Sequence, residues 1–412
     1  MRKISLLLNN YFILLGAFIL IFILIRSIHF VDFLNFSTDQ ATSSIKVLDI
    51  LRNKKISLIG PPVSFSYQGK YIFHGGVSYY FQLIFLALGN FDPVISSYLY
   101  MIFSSIMIIP LFFGSKYLVN EKTAWLMVIV YSLLPLYIDY TRFLWNPNFQ
   151  LTLLPLLILS MGLHKKFNKN IYFFTTSVLC GILLQLHYQF LPLLLSIFIY
   201  YFFIKRLSPI YVLIFLLGLS IGLFNMLLFE LRNHFYNVQT VFYILSHSSK
   251  GSIGVTSLKN FHYFLSIILL GFLTLGTFTS KKLNILIFVI LLITDIVLYA
   301  PTPSHAFGTD KDWNYLAEDK IHKIITTQHI KNYNVANLAY DTLASVQKYL
   351  LIKDHININF DNYSSNQYLF VVNKDNNYLK NPAYEVNTYT PSQLVSSWKI
   401  NKSYNLYLLK KL

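Results

Sequence analysis

Charged residues and cysteine are both scarce in this sequence of 412 residues. Only 12% of the residues are charged, about half of the roughly 25% that is usual in soluble globular domains, while 55% are hydrophobic. This composition excludes an ordinary soluble enzyme, a disordered chain and a nucleic-acid-binding domain. The single cysteine, Cys180, lies inside an apolar run, which excludes a disulfide framework and a thiolate metal cluster.

Several motifs of cytosolic chemistry are missing as well. The sequence contains no zinc-ligand spacing, phosphate-binding loop, nucleophile elbow or dinucleotide fingerprint. A net charge of +16 would by itself suggest a nucleic-acid partner. The basic residues, however, stand mostly between long apolar runs, where they are typical of membrane topology signals.

Long apolar runs are what the sequence has in abundance. A helix needs roughly 20 residues to cross about 30 Å of hydrocarbon. We predict nine such crossings, and a tenth, weaker apolar run covers 76–90. The nine crossings lie at 8–30, 93–115, 123–140, 149–163, 171–187, 189–204, 209–229, 261–279 and 283–300.

Basic residues in short loops predict the orientation, because such loops stay in the cytoplasm. Arg2 and Lys3 precede the first run, and further basic turns stand at 116–122, 165–169, 205–206 and 281–282. All of these turns are cytoplasmic only if 76–90 does not cross. We therefore predict a re-entrant or surface helix there, with ten crossings as the alternative. The N-terminus is then cytoplasmic, and the chain after residue 300 lies outside a plasma membrane.

A second, more polar domain is predicted after residue 300. Charged residues occupy 29 of the first 300 positions and 21 of the last 112. Helical periodicity at 313–330 and 341–352, with strand-like runs at 335–339, 368–372 and 404–409, predicts a small α/β domain. The fold class is therefore a polytopic α-helical membrane protein of about nine or ten transmembrane helices (1–300) with a small C-terminal extracytoplasmic α/β domain (301–412).

Asp39 is the carboxylate to which the sequence points most strongly. Ser37 or Thr38 can cap a helix that begins there, and apolar residues recur every three or four positions from 41 to 51. This pattern predicts an amphipathic helix on the membrane surface, inside a first outer loop at 31–75. Asp39 lies in its first turn, where the helix N-terminus favours the ionised form. An acidic residue that merely complements the helix dipole is the alternative.

Four further polar stretches are candidates for a site. They contain His74 with the paired glycines at 75–76, the turn 139–148, the segment 185–189 and the segment 230–235. The planar guanidinium of Arg142 suits a phosphate, and Trp145 can stack on a sugar or belong to the aromatic belt. Asp295 lies inside the last predicted helix, where a carboxylate is costly and usually has a partner or a water cavity; the sequence does not identify the partner.

The order of these motifs resembles the GT-C glycosyltransferases that use polyprenyl-phosphate sugars. The resemblance is to bacterial members of the family 39-like superfamily of protein O-mannosyltransferases and aminoarabinose transferases. It covers roughly residues 1–240 and is carried by Asp39-Gln40, His74 to Tyr80, Arg142 to Pro147, and Gln185 to Tyr188. It implies a GT-C-like helical bundle and transfer of a sugar from a lipid donor to an acceptor outside the cytoplasm.

The resemblance also implies roles for individual residues. The family has an Asp-Glu pair in its first outer loop, and its Asp acts on the acceptor; Asp39 matches this Asp, while Gln40 replaces the Glu. His74 falls where the family often has a basic residue that meets the lipid phosphate. We therefore predict Asp39 as the base of an inverting transfer. The predicted donor-phosphate and sugar-binding residues are His74, Arg142, Trp145, Asn146, His187, Tyr188, Glu230 and Arg232.

The expected partners are a polyprenyl-phosphate sugar, an extracytoplasmic acceptor and membrane lipids, without nucleic acid. No cofactor is certain; a divalent cation stays open, since Asp39 alone offers too few ligands, although Asp139, Glu230 or His74 could join it. Two other functions remain open. A lipid-linked glycan flippase or transporter would line a central path with intramembrane charges, and an O-antigen-type polymerase or ligase would share the transfer chemistry. A non-catalytic scaffold is a further alternative.

Overall fold

The fold comes from a computed structural model that describes residues 2–204, 208–247, 264–356, 362–374 and 383–412. It is mostly helical, with one two-stranded hairpin and one four-stranded sheet among the described residues. The predicted basic turn at 205–206 and the beginning of the predicted span at 261–279 lie outside the described residues.

Sixteen α-helices precede residue 300 in the described part of the chain. They are α1 Arg2–Ser27, α2 Phe30–Phe33, α3 Thr38–Asn53, α4 Val77–Leu88, α5 Pro93–Ile106, α6 Ile108–Leu118, α7 Glu121–Leu133, α8 Pro135–Tyr140, α9 Asn146–Phe167, α10 Asn170–Leu186, α11 Leu191–Ile199, α12 Pro209–Gly222, α13 Phe224–Arg232, α14 Tyr236–His247, α15 Leu265–Leu275 and α16 Lys281–Tyr299. A helix therefore lies at every predicted span and at the predicted surface segments 39–51 and 76–90.

Three segments among the described residues are long and apolar enough to cross a membrane. They are Asn10–Ser27 in α1, Pro93–Leu118 formed by α5 and α6, and Lys281–Tyr299, which is α16. The span predicted at 209–229 is instead divided into α12 and α13, which meet at an angle of 76°. It makes a fourth candidate only if this bent pair is counted as one span. The remaining predicted crossings coincide with helices, and nine crossings stays a prediction.

Helices α1, α7 and α16 run side by side in the same direction. Near their N-terminal ends, the Tyr11 hydroxyl donates to Glu121 (2.7 Å) and the Asn284 amide donates to the Lys122 carbonyl (2.8 Å). Their C-terminal ends meet around Arg26, described below. We call the end of the bundle with these N-termini the basic end, because Lys116, Lys122 and Lys281 lie there. The opposite end, on which the C-terminal domain packs, is called the domain end.

Helix α4 starts and ends at the domain end. Gln82 on α4 donates to Ser44 on α3 (2.9 Å), and Tyr80 accepts from the backbone of Ser57, just after α3 (2.8 Å). Beyond α4, the carbonyl of Phe91 accepts a hydrogen bond from Tyr349 of the C-terminal domain (2.6 Å). The helix predicted at 76–90 is therefore present, and whether it is re-entrant or lies on the membrane surface stays a prediction.

A β-hairpin that the sequence did not predict connects α3 to α4. Strands β1 (Ile59–Tyr67) and β2 (Lys70–Gly75) pair antiparallel with irregular register. Gln68 and Gly69 form the turn with φ values of 49° and 75°, the left-handed conformation that tight hairpins use. The hairpin brings His74, near the end of β2, to the start of α4.

The C-terminal domain has the predicted small α/β fold. Its elements are α17 Tyr315–Thr327, β3 Tyr333–Asn337, α18 Ser345–Lys353, β4 Tyr368–Asn373, α19 Tyr384–Asn387, β5 Ser392–Lys399 and β6 Asn405–Lys411. The sheet order is β3-β4-β6-β5, with only the β3–β4 pair parallel. Strand β5 was missed because it is an edge strand with mostly exposed side chains.

The C-terminal domain packs directly on the first loop of the bundle. The ring of Phe36 lies 6.0 Å from that of Tyr315 and 5.3 Å from that of Tyr349. Arg52 at the end of α3 donates to the carbonyl of Ile352 (2.9 Å). Tyr349 is buried in the same hydrophobic core as the helices, so the domain covers the helix that carries Asp39.

Candidate functional site

Asp39 lies in the first turn of α3, as predicted. Ser37 is the N-cap, and its backbone N–H donates to the side chain of Gln40 (3.1 Å) in a capping box. The Gln40 side chain is therefore buried and turned back toward the cap. It holds the beginning of α3 in place, and it leaves Asp39 as the carboxylate of this turn.

The carboxylate of Asp39 is exposed at the surface, yet protein surrounds it closely enough to withdraw much of its solvent. This desolvation raises the pKa of Asp39 above its ordinary value of 3.8, the nearby charge of Asp341 raises it further, and a hydrogen bond from Trp145 opposes the rise. Accessibility combined with desolvation indicates a partly enclosed position, which we describe as a cleft. Asp341 belongs to the C-terminal domain, so the cleft is formed by the bundle and the domain together.

Aromatic rings extend the cleft beside Asp39. Trp145 is the extended residue just before α9, and its ring is nearly parallel to that of Tyr140 (6.3 Å between centroids, 12°) and stacked against Phe143 (6.0 Å). Phe307 of the chain beyond α16 meets the edge of Tyr140 (5.0 Å). Flat apolar faces next to a carboxylate are suited to the face of a sugar ring.

His74, His187 and Tyr188 form a second group. The His74 ring lies 4.8 Å from the His187 ring and 4.9 Å from the Tyr188 ring, and the Tyr188 hydroxyl donates to the Phe73 carbonyl (2.7 Å). Burial lowers the pKa of His74 to about 4. The resemblance implied a basic residue at this position; at neutral pH the imidazole is instead neutral, and it can act on a phosphate only through hydrogen bonds.

Two amide side chains connect the groups around Asp39 and His74. Asn146 donates to the carbonyl of Leu186, and Gln150 donates to the carbonyl of His187 (both 2.9 Å). Both amides lie on α9, which begins directly after Trp145. The structure therefore gathers six predicted site residues into one region, which we call the Asp39 cleft: Asp39, His74, Trp145, Asn146, His187 and Tyr188.

The paired glycines at 75–76 serve packing within the protein. A Cβ atom on Gly75 would collide with the side chain of Gln185, and one on Gly76 would collide with the carbonyl of Ser57. The space beside them is filled by the protein, which fixes the position of the neighbouring His74.

Arg142 and Asp139 lie outside the Asp39 cleft, contrary to the prediction of a phosphate-binding arginine. Arg142 is fully buried, with a nitrogen 3.7 Å from Asp139 and another donating to the Ile25 carbonyl (3.2 Å). Its guanidinium lies over the rings of Phe33 and Tyr299 (4.4 and 4.5 Å). Its Nε and Nη1 have no hydrogen-bond partner among the described residues, but an arginine enclosed by protein in this way is not available to a lipid phosphate in this conformation.

Arg26 is the residue that sequence reasoning missed. It is fully buried and donates to Thr141 (2.6 Å) and to the Ser132 carbonyl (2.7 Å). Together with Arg142 it acts electrostatically on Asp295, but both oxygens of this buried carboxylate lack a hydrogen-bond partner within the described residues. An arginine within the first apolar run was the available signal. We call Arg26, Asp139, Arg142, Asp295 and Tyr299 the buried charge cluster.

Glu230 and Arg232 lie on the hairpin side of the bundle and do not pair with each other. Glu230 is buried and accepts from the backbone of Asn237 and Val238 (3.3 and 3.4 Å), which caps α14. Asn237 in turn accepts from the backbone N–H of Phe73 (2.9 Å), next to His74. Arg232 is exposed, and no acidic partner contacts it within the described residues.

No group of three or more His, Cys, Asp or Glu residues is placed to hold a metal ion within the described part of the chain. In comparisons with known proteins, no family model, curated protein or solved structure matches this chain.

Proposed function

We propose that this protein is an integral membrane glycosyltransferase that moves a sugar from a polyprenyl-phosphate donor to an acceptor on the outer face of the membrane. The observation that carries the proposal is the accessible, desolvated Asp39 carboxylate beside the Trp145 ring, between an apolar bundle and a docked polar domain. Such a cleft offers an apolar side to a lipid chain and a polar side to an acceptor.

The chemistry is one direct displacement. The acceptor oxygen or nitrogen attacks the anomeric carbon, the bond to the phosphate oxygen breaks with its electron pair, and Asp39 takes the acceptor proton. The products are an inverted glycoside, a protonated Asp39 and a free polyprenyl phosphate. Because the phosphate is a good leaving group, base catalysis and charge stabilisation are the main requirements.

The environment of Asp39 suits the task of a base. Desolvation and the nearby Asp341 raise its pKa above the ordinary value, which makes the carboxylate a stronger proton acceptor. The hydrogen bond from Trp145 fixes its orientation. A general base of this kind contributes roughly 10²–10⁴-fold to a rate.

Arg232 is the better of the two predicted arginines for the donor phosphate. Its side chain is exposed. Its helix, α13, also carries Glu230, which is hydrogen-bonded to Asn237, and Asn237 is hydrogen-bonded to Phe73. These bonds place α13 beside the strand that carries His74. Arg142 is occupied by Asp139. His74 and Tyr188 then complete the pocket with hydrogen-bonding groups, and His187 and Asn146 support them.

The test is transfer of radiolabelled sugar from polyprenyl-phosphate donors in membranes that contain the wild type, Asp39→Asn or Asp49→Asn. Asp49 lies on the same helix and is exposed and paired with Lys46 (3.0 Å), so it is the matched control. We expect transfer by the wild type and by Asp49→Asn, and a loss of at least about 100-fold in Asp39→Asn. Equal transfer by all three folded proteins would show that Asp39 is not the base. Absence of transfer with every donor would refute the proposed transferase activity.

The buried charge cluster is the observation that favours the second candidate, a flippase or transporter. Four ionisable side chains within the bundle are more than the sequence suggested. They gather at the domain end, however, and Arg142 lies 3.7 Å from Asp139, whereas a transport path requires charges along its length. A polymerase or ligase shares the displacement chemistry, and its glycan-sized acceptor would distinguish it in the same transfer assay.

A further inference from the structure

A groove opens at the basic end of the bundle, between α1, α7 and α16. Its volume is about 520 Å³, within the roughly 300–1,000 Å³ that is usual for ligand pockets. Leu14, Phe18 and Ile285 contribute to its apolar wall, and the side chains of Leu14 and Ile285 are 49% and 64% exposed. The groove is remote from the Asp39 cleft, which lies at the domain end.

The rim of the groove is positively charged. Lys122 and Lys281 line it, both are exposed, and neither forms an ion pair within the described residues. Glu121 is the one acidic residue of the lining, and it is already engaged by Lys116 (3.7 Å) and by the hydroxyl of Tyr11 (2.7 Å).

Two helix N-termini add to this positive potential. Helices α7 and α16 begin at Glu121 and Lys281, next to each other at the rim, and helix N-termini favour anions. Asn284 of the lining is 5% exposed, and its side-chain oxygen has no hydrogen-bond partner in the described structure. The groove thus combines an apolar wall with cations and a free acceptor at one end.

We propose that this groove binds an anionic phospholipid with a hydroxylated head group, such as phosphatidylglycerol. One acyl chain lies along the apolar wall of the groove. The phosphate lies between Lys122 and Lys281, and a head-group hydroxyl donates a hydrogen bond to the side-chain oxygen of Asn284. The bound lipid fastens α16 to α1 and α7 at the basic end, while the buried charge cluster fastens the same helix at the other end. This inference rests on the bundle lying in a bilayer and is independent of the proposed transfer reaction.

Trp125 provides the measurement, because its indole lines the groove. Full-length protein in a zwitterionic detergent is titrated with brominated phosphatidylglycerol, and tryptophan quenching is followed. We expect saturable quenching that disappears in Trp125→Phe. Brominated phosphatidylcholine should quench only at bulk concentrations, and equal saturable quenching by both lipids would overturn the head-group assignment.

Removal of the rim charges should weaken binding. A lysine near an anionic head group contributes about fivefold, so Lys122→Gln/Lys281→Gln should raise the midpoint about 30-fold. The matched control Lys169→Gln/Lys282→Gln removes the same charge from exposed lysines outside the groove and should leave the midpoint unchanged. Equal midpoints for the two double variants would refute the proposal. If the first double variant fails to fold, Lys281→Gln against Lys282→Gln makes the same comparison, with about fivefold expected.

Discussion

The Asp39 cleft and the buried charge cluster lie at the same end of the helical bundle, and both contain aspartate beside aromatic rings. In the cleft, Asp39 is exposed, and the charged residue near it, Asp341, is also negative. In the cluster, Asp139 and Asp295 are placed with Arg26 and Arg142, and both arginines are completely buried. An accessible carboxylate can take part in chemistry, whereas a sealed and paired one holds helices together.

The largest effect is expected from opening the sealed cluster. Arg142→Leu leaves the half-buried Asp139 with the Tyr299 hydroxyl as its remaining polar contact among the described residues, and breaking an ion pair with one fully buried partner costs at most about 3–5 kcal/mol of unfolding free energy. Arg232→Leu, at an exposed arginine, should change that free energy by less than about 0.5 kcal/mol. Thermal or denaturant unfolding of the purified protein measures both.

The double variant Arg142→Leu/Asp139→Leu distinguishes the two explanations of such a loss. Because it removes both charges, it should be markedly more stable than Arg142→Leu alone. If the double variant is as unstable as the single one, packing rather than charge is the function of the cluster.

A smaller effect on stability is expected when the pH is changed across the titration of a buried carboxylate in the C-terminal domain. Glu318 is buried and accepts hydrogen bonds from Tyr340 and Gln347, and burial raises its pKa from 4.5 to about 7. The folded state then holds a proton that the unfolded state has released between pH 4.5 and 7. Stability should therefore fall across this window by up to about 3 kcal/mol and level off above it.

Denaturant midpoints of the full-length protein at pH 5 and pH 7, followed by tryptophan fluorescence, test this dependence. Glu318→Gln keeps the shape of the side chain and cannot titrate, so the difference between the two pH values should shrink. An unchanged difference in Glu318→Gln would assign the pH dependence to other groups.

The support of the Asp39 cleft can be tested at its glycines. Gly75→Ala forces a Cβ against Gln185, and overpacking of this kind costs about 1–3 kcal/mol. It should also reduce sugar transfer, because His74 is displaced with the strand. Gly16→Ala is the control, since a Cβ at Gly16 meets no atom within 4 Å; a similar loss in both variants would contradict the packing role of Gly75.

The smallest effect concerns the charge that the domain contributes to the cleft. The nearby Asp341 raises the pKa of Asp39, so Asp341→Asn should lower that pKa. The acid limb of the pH–rate profile, where Asp39 becomes protonated, should then move to lower pH. An acid limb that stays in place would show that the domain does not tune the base.

Local patterns in the sequence were sufficient to predict many of the helices. The cap at Ser37, the amphipathic spacing after it and the long apolar runs predicted α3, α1 and α16 within a few residues. The hairpin at β1 and β2 was missed, because its pairing is irregular and its prolines, Pro61 and Pro62, are typical of breaks. The bend between α12 and α13 was missed as well, since hydropathy alone does not distinguish one span from two helices.

The candidate site was predictable only in its residue types. His74 was expected to be a cation, and burial makes it neutral; Arg142 was expected at the site, and Asp139 and the rings of Phe33 and Tyr299 hold it elsewhere. Both errors have one cause, because the charge and the reach of a side chain depend on neighbours distant in sequence.

The sequence by itself determined that this is a helical protein with apolar segments, a capped surface helix bearing Asp39 and a polar C-terminal domain. Composition, periodicity and capping are local properties, and each is visible in a few adjacent residues. Only the tertiary structure decided that Asp39 lies near Trp145 and Asp341, that the rings of His74 and His187 lie side by side, and that Arg26 and Arg142 are buried. These contacts join residues tens to hundreds of positions apart, and solvent exclusion and pairing, which set their chemistry, arise only when the chain packs.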